Sequence, residues 1–570
     1  MKKNIQCAIL SIFLFLLIFS IYGQTKNFEF ISFDDVTYVT ENPHVLTGLI
    51  KENIIWAFSQ VEVGHWHPLS WLSHQLDIEL FGLNPGAHHL ENVFFHTINS
   101  VLFFIFLFLL FNDLPIAFLV AALFALHPQR IESVSWISER KDVLSAFFGI
   151  LSLFVYRHYV TYKSRIAFIV THLFLILGLL AKPSLVVFPV LFLILDLWPL
   201  ARIKKDESFL SQLTPLILEK IFFILISLSF SITVFMAQDQ VGAMKGLDVY
   251  SWSDRFTHAG VAFLSYIGKT IWPASLSFFY PLHPIVPGLG VAAFFFICGT
   301  SWFFWKHFRE RPHLLFSWLW FGIALLPVIG LVPIGGQIMA DRWAYIPHLG
   351  IGIGLTGSLS QKKIKRSLIY FILTSLVLLS SLKTFHELSF WKNNQLLYER
   401  ALSVDADNFM AHNNLGMELG RLGKNQEALY HYQEAVRLNP TYPEALNNLG
   451  TAKAKNKNFK EAIPLFMKAL ERSPHSATYR YNLALAHYQS GSIGKAFELW
   501  VVLLKDHPDY QQTKGSLSYF AKQNTDEFCR LVQNGAFKIN PETYQNILAW
   551  HSEDIQVANK INEIKACVPK

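Results

Sequence analysis

With 570 residues, 52% of them hydrophobic and only 16% charged, the chain is longer than one ordinary domain and too apolar for a purely soluble protein. Its net charge of +7 does not point to nucleic acid, because the basic residues sit in short clusters between apolar runs, with no basic face and no nucleic-acid motif. The four cysteines, Cys7, Cys298, Cys529 and Cys567, contain no CxxC pair, which argues against a structural zinc site.

In chain order, Lys2 and Lys3 precede an apolar run from Cys7 to Tyr22. Ile21-Tyr22-Gly23 is a poor small-x-small cleavage site, so an uncleaved anchor is predicted rather than a signal peptide. Basic clusters recur at Lys2/Lys3, Arg157 to Arg165, Arg202 to Lys205, Lys306 to Arg311 and Lys362 to Arg366. The positive-inside rule puts each on the cytoplasmic face. Spans near 7 to 22, 93 to 111, 115 to 128, 142 to 160, 166 to 181, 184 to 199, 215 to 236, 286 to 305, 313 to 332, 345 to 360 and 367 to 384 satisfy that rule. They total about eleven, an odd number that sends the C-terminus outside. Residues 256 to 272 are read as an interfacial helix on the outer face, since a crossing there would put Lys306 to Arg311 outside. The outer loops are then 23–92, 127–142, a turn at Lys182, 238–284 and 337–345.

Phe33-Asp34-Asp35 follows the first span by about a dozen residues. An adjacent carboxylate pair at an interface suits acid/base work, one group accepting a hydroxyl proton while the other orients it, although a solvated loop start is the plain alternative. His89, Asn92, His96 and Asn99 recur at i, i+3, i+7 and i+10 and so share one face near the outer end of the second span, where polar side chains face protein or a cavity. His65, His67, His74, His88, His89 and His96 invite a metal reading. Their spacing resembles no compact ligand set, so packing and hydrogen bonding are preferred, no metal ligand is assigned and a divalent cofactor is left open. Arg140, Lys141, Lys182, Lys269 and Arg342 are exceptions to the charge rule and need anionic partners. Glu132, Glu139, Asp142 and Asp341 can supply them structurally, or the cations hold the phosphate of a lipid-phosphate substrate.

From Trp391 the composition turns to Asn, Lys, Glu and Gln. Pro440, Pro474 and Pro508 lie 34 residues apart, as do Ala428, Ala462 and Ala496, and Leu415, Leu449 and Leu483. That period defines tetratricopeptide (TPR) units at 409–442, 443–476 and 477–510. Gly416, Gly450 and Ala484 are the small residues that admit close helix approach, and Tyr432, Phe466 and Trp500 fill the groove. Tyr398 and Ala401 keep the register one period earlier, as a half repeat running out of the last span and attached rigidly to it. The fold expected is all-α: a polytopic membrane domain over 1–390, a TPR α-solenoid over 391–510 and a divergent helical cap over 511–570. Cys529 and Cys567 fall on the same outer side, where a disulfide can form.

These residues together resemble the transmembrane and TPR repeat-containing (TMTC) proteins and their bacterial relatives, a branch of the GT-C glycosyltransferases similar to protein O-mannosyltransferases. The motifs that carry the resemblance are Phe33-Asp34-Asp35, Asn42-Pro43-His44-Val45, Pro68-Leu69-Ser70-Trp71-Leu72, His89-Leu90-Glu91-Asn92 with His96, His127-Pro128, Glu132, Arg140-Lys141-Asp142, Lys182 and Asp341-Arg342-Trp343-Ala344-Tyr345. The resemblance implies a polyprenyl-phosphate sugar, often mannose, as donor and a Ser or Thr hydroxyl of an extracytoplasmic protein as acceptor, engaged by the TPR groove. It implies Asp34 as general base and Asp35 as its helper. Arg140, Arg342 and Lys182 would contact the donor phosphate, and His67, His89, Asn92, His96, Glu132, Lys269 and Tyr345 would line the site of an inverting displacement. His65-Trp66-His67-Pro68 stands where the animal proteins resemble Tyr-Arg-Pro, so one Arg is absent here. The N-terminal anchor fits a bacterial inner membrane with a periplasmic active face.

Three rivals make different predictions. A non-catalytic TPR scaffold in the membrane would not depend on Asp34. A transporter would favour inverted repeats and polar breaks at mid-membrane. A GT-C transferase acting on a lipid or glycan acceptor would leave the TPR array without an obvious role.

Overall fold

The computed structural model describes residues 2–61, 64–203, 208–240, 251–331, 336–361, 365–507, 510–523 and 530. The cap expected over 511–570 is described only by a helix at Gln511–Gln523 and by Arg530, and Cys529 and Cys567 lie outside the described residues. The chain divides into two compact units, Met1–Val404 and Asp405–Lys570.

The first unit is built on helices that prolines and caps start. Pro85, Pro287 and Pro312 each occupy a first helical turn, where the missing N–H costs nothing. Asn84 accepts from Ala87 N, and Ser251 forms a reciprocal capping box with Asp254. Six helices among the described residues are long and apolar enough to cross a membrane: Lys2–Asn27, Pro85–Phe111, Ile137–Tyr162, Ile221–Asp239, Gly288–Lys306 and Arg366–Trp391. They leave Ile9, Ile12, Phe295, Phe371 and Leu379 bare, the surface expected of helices solvated by lipid. The apolar helices fit a membrane-embedded unit, and among the described residues the expected eleven spans are not confirmed. The helices Arg165–Ala181, Pro183–Leu197 and Pro312–Leu325 are shorter than the ~20 residues a span needs. The span read at 115–128 is bent by 57° between Leu114–Ala125 and Pro128–Ser135; counting this pair as one crossing gives seven. The helix at Trp252–Ile271 is not among the six.

Two regions read as outer loops are packed structures. Residues 124–146 are buried without a break, so the segment from His127 to Asp142 is a set of short turns enclosed by protein. The first loop carries its own helices, Lys51–Ser59 and Pro68–Phe81, around a core of Tyr38, Val45, Trp56, Trp71 and Ile137. Tyr38 and Trp71 stack at 4.5 Å within it. A two-stranded antiparallel ribbon, Tyr280–Pro281 with Gln337–Met339, ties together the segments 238–284 and 337–345 that were read as outer loops. Glycines set the packing of Tyr345–Gln361: a Cβ on Gly350 would meet Trp320 at 2.1 Å, and one on Gly352 would meet Phe103 at 2.8 Å. Small residues on two faces thus let this helix be clasped on both sides.

Among the described residues the second unit holds three helical hairpins, Phe409–Arg421 with Asn425–Leu438, Pro443–Lys455 with Phe459–Arg472, and Ala477–Gln489 with Ile493–Asp506, followed by the helix Gln511–Gln523. A Cβ on Gly416 would meet Tyr432 at 2.8 Å and one on Gly450 would meet Phe466 at 2.9 Å. Ala484 packs in one cluster with Trp500. The small and large positions of the 34-residue period are therefore in contact. Asparagines link successive units along the array, Asn448 donating to Asn413 at 2.9 Å and Asn482 to Asn447 at 2.8 Å. The helix Asn394–Val404, with Tyr398 and Ala401 buried, belongs to the first unit.

Candidate active site

The site grows from the start of the helix Arg140–Tyr162 and the turn Ile137–Glu139 before it. Glu139, Lys141 and Asp142 share one group of partners, while Arg140 at the start of the helix turns to another. Glu139 is the hub of the first group. It pairs with Lys141 at 3.1 Å, Lys182 at 3.1 Å and Arg342 Nε at 3.2 Å. Lys182 also reaches Asp142 at 2.6 Å, and Arg342 pairs with Glu132, which further accepts the Arg342 backbone N–H at 2.8 Å. Lys141 extends to Asp34 at 3.9 Å and lies 4.5 Å over the Tyr38 ring. Four carboxylates thus surround three cations. Arg342 Nη2 and one N–H of Lys182 have no hydrogen-bond partner among the described residues.

The two adjacent aspartates are not equivalent. Asp35 is fully buried and accepts hydrogen bonds from Ile31 N and Ser138 N, both at 2.9 Å, and from Ser138 Oγ. It knots the first outer segment to the second. Burial pushes its carboxyl up to about 6 against the pull of those donors. Asp34 keeps 37% of its side chain exposed, against 2% for Glu139 and 9% for Asp142. Crowding by the surrounding protein raises its carboxyl above the ordinary range, with Lys141 the main opposing influence. Of the carboxylates in the cluster, it is the one open to an incoming molecule.

A cleft beside Lys182 and Arg342 is lined by Asp142, Ser184, Ala324, Pro327, Val328, Trp343, Tyr345 and Ile346. Tyr345 donates to or accepts from His96 Nδ1 at 2.8 Å, and Asn99 donates to it at 3.2 Å. His89 meets the Glu29 carbonyl at 3.1 Å, while Asn92 donates to the Trp136 carbonyl at 2.8 Å. The polar face of Pro85–Phe111 is thus spent on holding the outer segments in place. His67 is buried beside His65, the two rings 5.1 Å apart, and burial holds it well below its ordinary value, so it is neutral.

Two expected residues stand elsewhere. Arg140 is fully buried and bonded to Asp77 at 2.8 Å, Glu91 at 2.9 Å, Ser73 at 2.7 Å, the His88 carbonyl at 3.0 Å and Asn92. It does not share in the Glu139 cluster. Lys269 donates to the carbonyls of Ala274 and Ser275, at 3.2 and 2.7 Å, and lies over Tyr280. Conversely, Lys141 and Glu139, expected only as one of several outer cations and as one of their possible partners, are central here. Arg130 was missed altogether: it is fully buried, bonded to His348 Nδ1 at 2.7 Å and the Ala344 carbonyl at 3.1 Å, and lies over the Tyr345 ring. A cation between Gln129 and Ile131 reads as a topology signal unless the bend that buries it is known.

Fold and site together define a membrane-embedded helical unit bearing a charged cluster, followed by a TPR array. Two family models, described as TPR repeat and Tetratricopeptide repeat, match residues 418–457 and 447–508. The chain is similar to the curated protein O-mannosyl-transferase TMTC1 of Homo sapiens, with 25% identity over 75% of this chain and 55% of that protein. It is also similar to protein O-mannosyl-transferase TMTC3 of Mus musculus, 24% identical over 78% of this chain and 52% of the relative. Protein O-mannosyl-transferase F38B6.6 of Caenorhabditis elegans is 24% identical over 72% and 60%. The similarity found from short motifs thus extends over about three quarters of the chain, and the chain spans about half the length of the curated relatives it matches.

Proposed function

We propose that this chain is a GT-C-type glycosyltransferase that moves a mannose-like hexose from a polyprenyl phosphate to Ser or Thr hydroxyls of proteins on the outer face of a bacterial inner membrane. The observation that carries the reading is Asp34: a partly exposed carboxylate of raised pKa at the edge of a buried cluster of three cations. Asp34 takes the acceptor proton as the hydroxyl oxygen attacks the anomeric carbon from the face opposite the phosphate. The bond from that carbon to the phosphate oxygen breaks, giving inversion, and the departing lipid phosphate gains negative charge. Lys141, Lys182 and Arg342 stabilise that charge, and the phosphate role expected of Arg140 passes to Lys141. Preorganised donors of this kind are worth roughly 10²- to 10³-fold each in other enzymes.

Asp35 acts by position: its bonds to Ile31 and Ser138 fix the backbone that presents Asp34. The relatives are named for transfer to protein, and a TPR array is a surface for polypeptide, which together favour a protein acceptor.

The test is reconstitution of the purified full chain with a polyprenyl-phosphate hexose and extracytoplasmic proteins of the source cell. Intact-mass analysis should show a hexose-sized gain on specific proteins, with β-elimination releasing it. A chain inert with every donor tried would remove the enzymatic reading and favour a scaffold.

A further inference from the structure

A second group of side chains, outside the Glu139 cluster, has the composition of a metal site. His74 and Asp77 stand one helical turn apart on Pro68–Phe81, and His88 lies in the first turn of Pro85–Phe111. All three are fully buried, and each offers a ligand atom within 4.8 Å of the other two. Both ring nitrogens of His74, and Nδ1 of His88, find no hydrogen-bond partner among the described residues. A buried imidazole without partners is costly, and three such nitrogens around one carboxylate call for something that binds lone pairs.

His88 sharpens the point. Its Nε2 faces the Gly82 carbonyl at 2.9 Å, an acceptor, so Nε2 carries the proton. In the neutral ring Nδ1 is then a lone pair, yet it faces Asp77 Oδ2 at 3.1 Å. Two acceptors at that distance repel unless a cation lies between them. With bonds of about 2.0 to 2.2 Å, a 3.1 Å edge subtends roughly 90 to 100° at the ion, an angle that a distorted four-coordinate zinc accepts. Arg140 then holds the metal-bound carboxylate in orientation, as outer partners of metal ligands commonly do.

We propose that His74, Asp77 and His88 bind one divalent transition-metal ion, of which zinc fits the ligand set best, and that the ion pins the helix Pro68–Phe81 of the first outer segment to the start of the helix Pro85–Phe111. The site is structural and independent of the reaction proposed above. The rival occupant of the gap is a second proton on His88, which would leave His74 without a partner.

The full chain, purified in detergent without chelator, equilibrated with zinc or cobalt(II) and desalted, should retain about one ion per chain by elemental analysis. His74→Ala and His88→Ala should each weaken retention at least tenfold. Because either variant could misfold, X-ray absorption at the metal edge of the wild-type protein gives a second reading: two imidazoles and one carboxylate are expected around the ion. No retained metal in the wild type would overturn the site and leave the imidazolium. Retention unchanged in both variants, or an ion bound only by oxygen or sulfur, would also overturn it.

Discussion

Arg140 and Lys141 are neighbours in the chain and opposites in the molecule. Arg140 has no exposed surface, and its guanidinium is consumed by two carboxylates, two side-chain oxygens and a carbonyl. Lys141 looks the other way, into a cluster that has unused donors and an open carboxylate at its edge. The difference teaches that a charged motif can be half scaffold and half site. A satisfied buried ion pair resists change, whereas one with spare donors can accept a ligand.

The comparison can be broken most severely at Arg140. Arg140→Ala takes the cation away from the buried Asp77 and the half-buried Glu91, which should cost about 3 kcal/mol and lower the unfolding temperature of the detergent-solubilised chain. An unchanged melting curve would mean that Arg140 is not structural. Lys182→Ala and Arg342→Ala also remove partners from the buried Glu139, Asp142 and Glu132 and so should cost some stability, but donor use by the folded protein should fall by roughly 10²-fold beyond that loss. Parallel losses of stability and turnover in both variants would erase the distinction between the two regions.

Asp35→Asn is expected to be milder. The amide can still accept from Ser138, but its NH₂ cannot accept from Ile31 N, so about 1–3 kcal/mol of stability should go. The smallest effect concerns pH. Burial favours the protonated form of Asp35, so the folded chain binds that proton more tightly than the unfolded chain does. Its contribution to stability is therefore full below the ordinary value of 3.8, declines as pH rises, and is gone above about 6. Chemical denaturation of wild type and Asp35→Asn between those limits should differ in slope, and identical slopes would remove Asp35 as the source.

Much of this was legible in the sequence, for reasons that vary by region. The TPR hairpins followed from a 34-residue period because each repeat contacts mainly its neighbours, so local pattern determines structure. Asp34, Lys182 and Arg342 stood out because charge on an apolar outer face demands a partner. What failed to show was direction. Nothing in Glu139-Arg140-Lys141-Asp142 says which side chain turns toward which segment, since the answer depends on Asp77 and Lys182, 63 and 40 residues from Arg140 and Asp142 respectively. The bend after Ala125 was hidden too, because hydropathy counts apolar residues without registering that Pro128–Ser135 leaves the axis by 57°. The pairing of His74 with His88 was likewise invisible, as ligand spacing is informative only when one element supplies the set.

The most direct test of the account is Asp34→Asn, measured with a polyprenyl-phosphate hexose and a protein acceptor beside thermal unfolding of the same preparation. Asn keeps the size and shape of the side chain at a position whose carboxylate makes one long ion pair, to Lys141 at 3.9 Å. Stability should therefore stay within about 0.5 kcal/mol of wild type, as for ordinary partly exposed substitutions. Transfer should fall by roughly 10² or more, the loss expected when a positioned general base is removed. Wild-type turnover by the folded Asp34→Asn protein would contradict the account, since the open carboxylate at the edge of the cation cluster would then have no part in the chemistry.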